Sequence, residues 1–161
     1  MYTLRPAQAP DFPAIQAIIR NAHINPMGLK WDRFLVAVNQ ENRVIGCGQI
    51  KPHSDGSFEL ASIAVKPAWR GQGAARALIE RLISSQRGDL YLTCRASLGA
   101  LYEKFGFSRI TNLEAMPGYF RRVLRLFKVF KFFTSSQEDL WVMKRPGKTE
   151  SGEEKAPGRS V

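Results

Sequence analysis

Hydrophobic residues recur along the chain at two different periods. Between residues 74 and 83 they are spaced by three and four positions, with charged side chains on the opposite side, and this pattern predicts an amphipathic helix. A helix with the same spacing is predicted behind Asp11 and Pro13, and a short one over residues 98–105. Apolar runs bounded by turn-forming residues predict strands at 2–5, 34–38, 44–50, 58–65, 90–94, 107–110 and 140–143.

The order of these elements predicts an α/β fold. Residues 58–65 are apolar at most positions on both faces, which is typical of a central strand. That strand, a glycine-containing loop, the helix from residue 74 and the strand 90–94 form a βαβ unit, whose two strands are expected to be parallel. A chain of 161 residues favours one domain. It is expected to span 1–145, with a helical insertion at about 112–137 and a disordered tail at 146–161, where apolar residues are too few to pack.

The chain is strongly basic, with 24 Lys and Arg against 14 Asp and Glu and a formal net charge of +10. An anionic partner is therefore expected, either a phosphorylated cofactor, nucleic acid or a membrane surface. The two cysteines, Cys47 and Cys94, lie in predicted strands, so no disulfide framework is expected and the cytoplasm is the expected location. No apolar stretch approaches the roughly 20 residues that cross a bilayer.

A glycine-rich loop joins the predicted central strand to the helix from residue 74. Its sequence is Arg70-Gly71-Gln72-Gly73-Ala74-Ala75. Glycines let main-chain N–H groups approach an anion, and the start of the helix adds unpaired donors. A dinucleotide-binding fingerprint would need a third glycine where Arg76 stands, and a P-loop would need Gly-Lys-Ser/Thr at the helix start. Neither nucleotide-binding pattern is present at this loop.

The residues around this loop match a different pattern. Ile63-Ala64-Val65-Lys66-Pro67 ends a strand with Val-x-Pro, and Arg70, Gly73 and Ala75 then follow as Arg-x-x-Gly-x-Ala. This segment resembles the phosphate loop of the GNAT acetyltransferase superfamily. A second block, Ala100-Leu101-Tyr102-Glu103-Lys104-Phe105-Gly106-Phe107, is similar to another segment of that family. The resemblance covers residues 2–111 in element order, and the strand 140–143 supplies the expected last strand.

The resemblance implies a fold and a cofactor. The fold is a mixed, mostly antiparallel sheet of six to seven strands flanked by helices and splayed between its fourth and fifth strands, where acetyl-CoA binds. The main chain of Ile63, Ala64 and Val65 would pair with the pantetheine arm. The amides from Gly71 to Arg76, through Gln72, Gly73, Ala74 and Ala75, would hold the pyrophosphate, while Arg70 would add positive charge. No metal is expected.

The implied reaction is attack of an amine on the thioester of acetyl-CoA, either by a small molecule or by a peptide or protein amine. Tyr102 matches the tyrosine that protonates the leaving sulfur in many members, and a phenol is protonated at neutral pH. Glu59 is a candidate base, although an exposed strand-end charge is an equal explanation of it. His23, His53 and water are further candidates for removing the amine's proton.

The chain also departs from the family pattern. The asparagine common before the tyrosine segment is absent, and Ser97 is the candidate that replaces it as a cofactor contact. At Thr93, where members that acetylate protein N-termini carry glutamate, there is no carboxylate. The missing carboxylate weighs against an acceptor that is a protein N-terminus. The missing asparagine and the lack of a definite base motivate an alternative function, in which the same fold binds CoA, a membrane or nucleic acid without turnover.

The predicted helix over residues 116–133 is basic and aromatic. Its basic side is expected to hold Arg121, Arg122, Arg125, Lys128 and Lys131, and its apolar side Tyr119, Phe120, Val123, Leu126, Phe127, Phe130 and Phe133. Three explanations remain open: the aromatic side covers the core, residues 117–133 lie on an anionic membrane, or the helix contacts nucleic acid or protein. Separation of aromatics from charges argues against stacking on nucleic-acid bases.

Overall fold

A computed structural model of the chain describes residues 1–133 and 139–148. Within them lie seven strands and four α-helices. The strands are β1 (Tyr2–Pro6), β2 (Phe34–Asn39), β3 (Val44–Pro52), β4 (Phe58–Val65), β5 (Leu90–Arg95), β6 (Ser108–Arg109) and β7 (Leu140–Arg145). The helices are α1 (Phe12–Asn21), α2 (Ala74–Ser85), α3 (Gly99–Glu103) and α4 (Gly118–Phe133). The predicted order of elements is confirmed, with α3 and β6 shorter than predicted.

The strands form a single mixed sheet in the order β1-β2-β3-β4-β5-β7-β6. Every neighbouring pair is antiparallel except β4 and β5, which are parallel as the βαβ unit predicted. Strand β4 lies in the middle of the sheet, because it is apolar on both faces and helices cover both. The predicted α/β class, with a mostly antiparallel sheet flanked by helices, is confirmed.

The two faces of the sheet carry different helices. On one face, α2 and α3 pack over a cluster that includes Leu60, Leu92 and Met143. On the other face, α1 packs over β2 and β3, and α4 packs over Tyr91 of β5 and Val142 of β7. Side chains alternate between faces along a strand. Adjacent residues of β4 therefore reach different layers of the protein.

Strands β4 and β5 separate soon after they meet. Only Glu59 and Tyr91 are paired between them, so the carboxyl-terminal parts of the two strands diverge. Strand β4 also carries a bulge, since Cys47 pairs with Ala64 but Gln49 pairs with Ala61. Ser62 accommodates the extra residue with a left-handed backbone, φ 58°. The result is a split in the middle of the sheet, at the position the resemblance implied.

Helix α4 is amphipathic, but the sheet selects a different stripe from the predicted one. Phe120 and Leu124, one turn apart, are buried against the sheet. Leu126, which the helical wheel placed on the apolar side, is 60% exposed, so the predicted apolar side does not cover the core as a whole. The helical wheel defined the apolar side as the residues opposite the charges. In the structure, α4 docks on β5 and β7, and the residues that are buried there lie around Phe120. The first of the three explanations, core covering, holds for this stripe.

The predicted tail begins at residue 146. Of it, the structure describes 146–148, where the Gly147 N–H donates to the Asp89 carboxylate and the Lys148 N–H to the Arg87 carbonyl. These main-chain bonds do not depend on apolar content. Residues 149–161, and 134–138 of the predicted insertion, lie outside the described part of the chain. Across the described residues, no helix is both long enough and apolar enough to span a membrane.

Candidate active site

The glycine loop forms a concave pocket at the start of α2. Gly71 and Gly73 both have left-handed backbones, φ 75° and 83°, which glycine adopts without strain. Gly73 immediately precedes the helix, so the N–H groups of the first turn of α2 have no partner within the helix. A side-chain carbon at Gly71 would meet nothing within 4 Å. The loop thus presents main-chain donors at an open surface, which is an arrangement suited to a phosphate group.

Most of the predicted cofactor residues meet at this pocket. It is lined by Val65, Trp69, Arg70, Gly71, Gly73, Ala74, Ala75 and Arg76. The Arg70 Nε donates to the Val65 carbonyl at 3.2 Å, and the Arg76 guanidinium pairs with Glu80 along the exposed side of α2. Gln72 lies in the same loop, its amide donating to the Ala68 carbonyl. One anionic group placed here would therefore face main-chain donors and a side-chain guanidinium together.

Three predicted cofactor residues lie outside this pocket, two in β4 and one in the turn after β5. Ile63 and Ala64 follow the bulge in β4, with Ile63 packed on the α2 face and Ala64 on the α1 face. The Gln49 amide donates to the Ser62 hydroxyl at 2.9 Å and supports the bulge. Ser97 lies in the short turn between β5 and α3 and is exposed. It does not line the pocket at the glycine loop.

Glu59 is buried at the point where β4 and β5 separate. Its side chain is 8% exposed, so the explanation as an exposed strand-end charge is wrong. One carboxylate oxygen lies 2.8 Å from the His53 Nε2, and the other accepts a bond from the Thr93 hydroxyl at 3.3 Å. Buried carboxylates need such partners, because an unpaired charge in the interior is strongly disfavoured. The structure therefore joins a candidate base to two polar neighbours.

Tyr102 lies on the opposite face of the sheet from Glu59. It packs in the cluster under α2 and α3, with its ring edge-on to Phe107 at 6.1 Å. Burial raises the pKa of Tyr102 to about 12, with the Cys94 thiol as a second cause. The phenol is therefore protonated across the neutral range. Glu59 and Tyr102 therefore provide a buried carboxylate and a protonated phenol on opposite faces of the sheet.

The turn after β3 connects the Glu59 carboxylate to α4. The ring of His53 stacks on Tyr119 with centroids 3.4 Å apart, and the Tyr119 N–H donates to the Asp55 carboxylate at 2.7 Å. Bonds from Ser57 and Tyr119 lower the pKa of Asp55 to about 2. Burial and the Glu59 charge raise the pKa of Tyr119. The predicted insertion is thus part of the site's wall.

Sequence reasoning undervalued His53, Thr93 and Tyr119. For His53 the sequence did contain a signal, which is its position six residues before Glu59 across a hairpin turn. In the hairpin, Lys51 is paired directly with Glu59. Residues 51, 53 and 59 therefore share a face. Position 93 was considered only because Thr93 has no carboxylate. In the structure, Glu59 of the neighbouring strand β4 brings a carboxylate next to Thr93. For Tyr119 no sequence signal could have shown where along the sheet α4 docks.

Comparison with known families and proteins finds similarity to acetyltransferases. The family model for the acetyltransferase (GNAT) domain matches residues 30–109. The [ribosomal protein bS18]-alanine N-acetyltransferase of Escherichia coli K12 is 32% identical over 128 residues, covering 69% of this chain and 84% of that protein. A matching enzyme from Shigella flexneri has the same identity and coverage.

Solved structures show the same architecture. The ribosomal-protein-S18-alanine N-acetyltransferase of Escherichia coli superposes with a TM-score of 0.64 at 25% identity, covering 96% of this chain and 98% of that one. The N-acetylglutamate synthase of Neisseria gonorrhoeae, complexed with coenzyme A and N-acetyl-glutamate, has a TM-score of 0.71 at 18% identity over 92% of this chain. This chain spans only 36% of that longer protein.

Proposed function

This chain belongs to the GNAT acetyltransferase family, and from that premise we propose which residues carry out its reaction. It is an N-acetyltransferase that uses acetyl-CoA as co-substrate. Direct attack by the amine is proposed, within a complex that holds both substrates. The observation that carries the assignment is the buried Glu59 carboxylate at the split in the sheet, with the protonated Tyr102 phenol on the other face.

The glycine loop is the proposed site for the pyrophosphate of acetyl-CoA. Its positive-φ glycines, the first turn of α2 and the Arg70 side chain support this assignment. The edge of β4 that diverges from β5 at Ile63, Ala64 and Val65 is the proposed partner of the pantetheine arm. Exposed Ser97, in the turn after β5, is proposed as a further contact in place of the missing asparagine.

The transfer requires protons to leave the amine and one proton to reach the sulfur. The amine arrives largely protonated at neutral pH, so Glu59 is proposed to take its first proton and leave the nitrogen lone pair free to attack the thioester carbonyl carbon. The carbon–sulfur bond then breaks, and Tyr102 is proposed to donate its phenolic proton to the departing thiolate. The nitrogen loses its second proton to water as the amide forms, and Glu59 and Tyr102 return to their starting states by proton exchange with water. Separation of the two groups onto opposite faces keeps the base from taking the acid's proton directly.

The proposed acceptor is a primary amine, either of a small molecule or of a peptide or protein. Similarity to an enzyme named for alanine of ribosomal protein bS18 supports a protein amine. That enzyme class was expected to carry a carboxylate at position 93. Here the Glu59 carboxylate approaches the Thr93 hydroxyl to 3.3 Å from the neighbouring strand. A carboxylate from β4 can therefore occupy the space next to position 93.

Turnover is tested by following thioester cleavage of acetyl-CoA with amino acids, aminoglycosides, polyamines and peptides bearing free N-termini. Amine-dependent release of CoA is expected with at least one class. Calorimetric titration with CoA runs in parallel. A protein that binds CoA yet cleaves no thioester with any class would instead support the non-catalytic alternative. Absence of CoA binding would contradict both the acetyltransferase and the CoA-binding form of that alternative.

The change Tyr102→Phe removes the proposed acid with little change of shape. We expect kcat to fall by about 10- to 100-fold, because the thiolate would leave without a proton donor. The KM for acetyl-CoA is expected to stay within about twofold of the wild type. Steady-state kinetics measure both. Tyr91→Phe is the matched control, since Tyr91 lies on the other face of the sheet; equal losses in the two variants would contradict the acid assignment.

The change Gly73→Ala tests the loop. An alanine at φ 83° is strained by about 1–2 kcal/mol, so the loop must shift its amides. The dissociation constant for CoA, measured by calorimetry, is expected to rise by about tenfold. Gly88→Ala is the control, because a side-chain carbon there meets only the Gln86 side chain at 3.8 Å. Unchanged affinity in Gly73→Ala would place the pyrophosphate elsewhere.

Location and surface partners are also proposals. The cytoplasm is supported by two free cysteines, both buried, of which Cys47 has a pKa raised to about 12 by burial. Contact of residues 117–133 with an anionic membrane surface is supported only by the outward side of α4. There Arg122 and Arg125 lie beside Leu126 and Val129, which are 60% and 59% exposed. Phe120 is not available for insertion into such a membrane, because α4 buries this ring against the sheet.

A further inference from the structure

We propose that His53 is a positioning residue for the Glu59 carboxylate, and that α4 holds the His53 ring in place through Tyr119. The inference rests on the proposed function, in which Glu59 takes the amine's proton. It adds His53, which lies outside both the glycine loop and the Tyr102 segment. It also gives a role to α4, which neither of those two motifs includes. The carrying observation is the 2.8 Å contact between the His53 Nε2 and Glu59, with both side chains less than a tenth exposed.

The contact defines the state of the histidine. The proposed base role requires an ionised Glu59, and a carboxylate only accepts hydrogen bonds, so in that state the His53 Nε2–H is the donor to Glu59. The Thr93 hydroxyl donates to the other oxygen at 3.3 Å. Each carboxylate oxygen can accept more than one bond. Both oxygens are therefore oriented by the protein while acceptor positions remain for the proton of an amine.

The ring of His53 is in turn fixed from two directions by α4. Tyr119 covers its face with the two planes 15° apart, and Phe120 meets it edge-on with centroids 5.7 Å apart. Stacked and edge-on contacts of this kind restrict rotation of a ring. The main chain of the same residue is held by the bond from the His53 N–H to the Ser57 carbonyl at 2.9 Å. The imidazole has little freedom to leave the carboxylate.

Asp55 connects this turn to the start of α4. Its carboxylate accepts bonds from the Tyr119 N–H at 2.7 Å and from the Ser57 hydroxyl at 2.6 Å. The same short turn therefore carries both the histidine that contacts Glu59 and the carboxylate that binds the helix. A displacement of α4 would be transmitted to the His53 ring and then to Glu59. A misplacement of about 1 Å in a reacting group can lower a rate by about 100-fold.

The test compares His53→Gln with His53→Leu. A glutamine side chain keeps an N–H that can donate to Glu59, whereas leucine keeps only bulk. We expect kcat to fall by about 10- to 100-fold in His53→Leu and to stay within about fivefold of the wild type in His53→Gln. The KM for acetyl-CoA and the dissociation constant for CoA are expected to change by less than about twofold in both. Gln16→Leu introduces the same side chain at an exposed position of α1 and is expected to behave as the wild type.

A second pair of variants tests the helix. Tyr119→Phe retains the ring over His53 and is expected to keep kcat within about twofold, whereas Tyr119→Ala removes it and is expected to lower kcat by about tenfold. Thermal unfolding of every variant gives the fraction folded at the assay temperature. Rates are compared per folded protein. The Tyr119 pair keeps the inference falsifiable if a His53 variant does not fold.

The outcomes separate the two proposals. If Glu59→Gln is inactive while His53→Leu retains the wild-type kcat, Glu59 keeps its assignment and the positioning inference is overturned. Equal losses in His53→Gln and His53→Leu, or a loss of CoA affinity that accounts for the change, would also overturn it. A wild-type protein without amine-dependent turnover would overturn the proposed function, and the inference with it.

Discussion

Replacing Glu59 with glutamine is expected to lower kcat for amine-dependent thioester cleavage by about 100-fold or more, because general-base catalysis contributes about 10²- to 10⁴-fold. The change is nearly isosteric. A glutamine carbonyl can accept the bond from His53, and its NH₂ can donate to the Thr93 hydroxyl, which can act as acceptor. The buried pocket therefore keeps its bonds while losing the group that takes a proton.

Binding of CoA separates this effect from a general loss of structure. The dissociation constant of CoA, measured by calorimetry, is expected to stay within about twofold in Glu59→Gln, since the glycine loop is untouched. Glu41→Gln is the charge-matched control, because Glu41 is an exposed turn residue paired only with Arg43 among the described ion pairs. A Glu59→Gln protein that turns over at the wild-type rate would shift the base to water or another residue.

Replacing Phe120 with alanine is expected to lower the free energy of unfolding by about 3–5 kcal/mol. Phe120 is the largest of the fully buried side chains in the described part of the protein, at 0% exposure. Its ring lies 5.2 Å from that of Tyr91 on the sheet and 5.1 Å from that of Tyr119 on α4. Truncation therefore removes the main apolar contact between α4 and the sheet and leaves a cavity beside His53.

Urea denaturation monitored by circular dichroism measures this change. Leu126→Ala is the control on the same helix, and a shift within about 0.5 kcal/mol is expected because Leu126 is 60% exposed. The pair also tests which side of α4 faces the sheet, since the predicted apolar side contained both residues. A larger loss in Leu126→Ala than in Phe120→Ala would mean that the helix docks through its other side.

Local patterns were sufficient for the order of elements and for the glycine loop that precedes α2. Strand β4 has its predicted bounds, and the residues from Arg70 to Arg76 form one continuous loop and helix start. These features depend on neighbours in sequence, such as two glycines at positive φ before a helix. A contiguous motif keeps its geometry in most contexts, so its chemistry can be interpreted before the fold is known.

The surroundings of Glu59, which form the proposed acceptor side of the site, were less predictable. Four residues from four different elements meet there: Glu59 of β4, Thr93 of β5, His53 of the turn after β3 and Tyr119 of α4. The sequence includes each residue but gives no sign that the Thr93 hydroxyl and the His53 ring meet one carboxylate. The interpretation of Glu59 as exposed failed for the same reason. Its side chain contacts Thr93 and His53, and the His53 ring is covered by α4, which begins 59 residues after Glu59.

The sequence by itself determined the family, the βαβ unit and the glycine loop before α2, because these follow from periodicity and from short contiguous motifs. Only the tertiary structure decided which side of α4 is buried and which polar groups surround Glu59. Those contacts join segments far apart along the chain, and their energies come from docking one apolar surface on another. A helical wheel shows that α4 has an apolar side, but the sheet beneath it determines which residues that side contains.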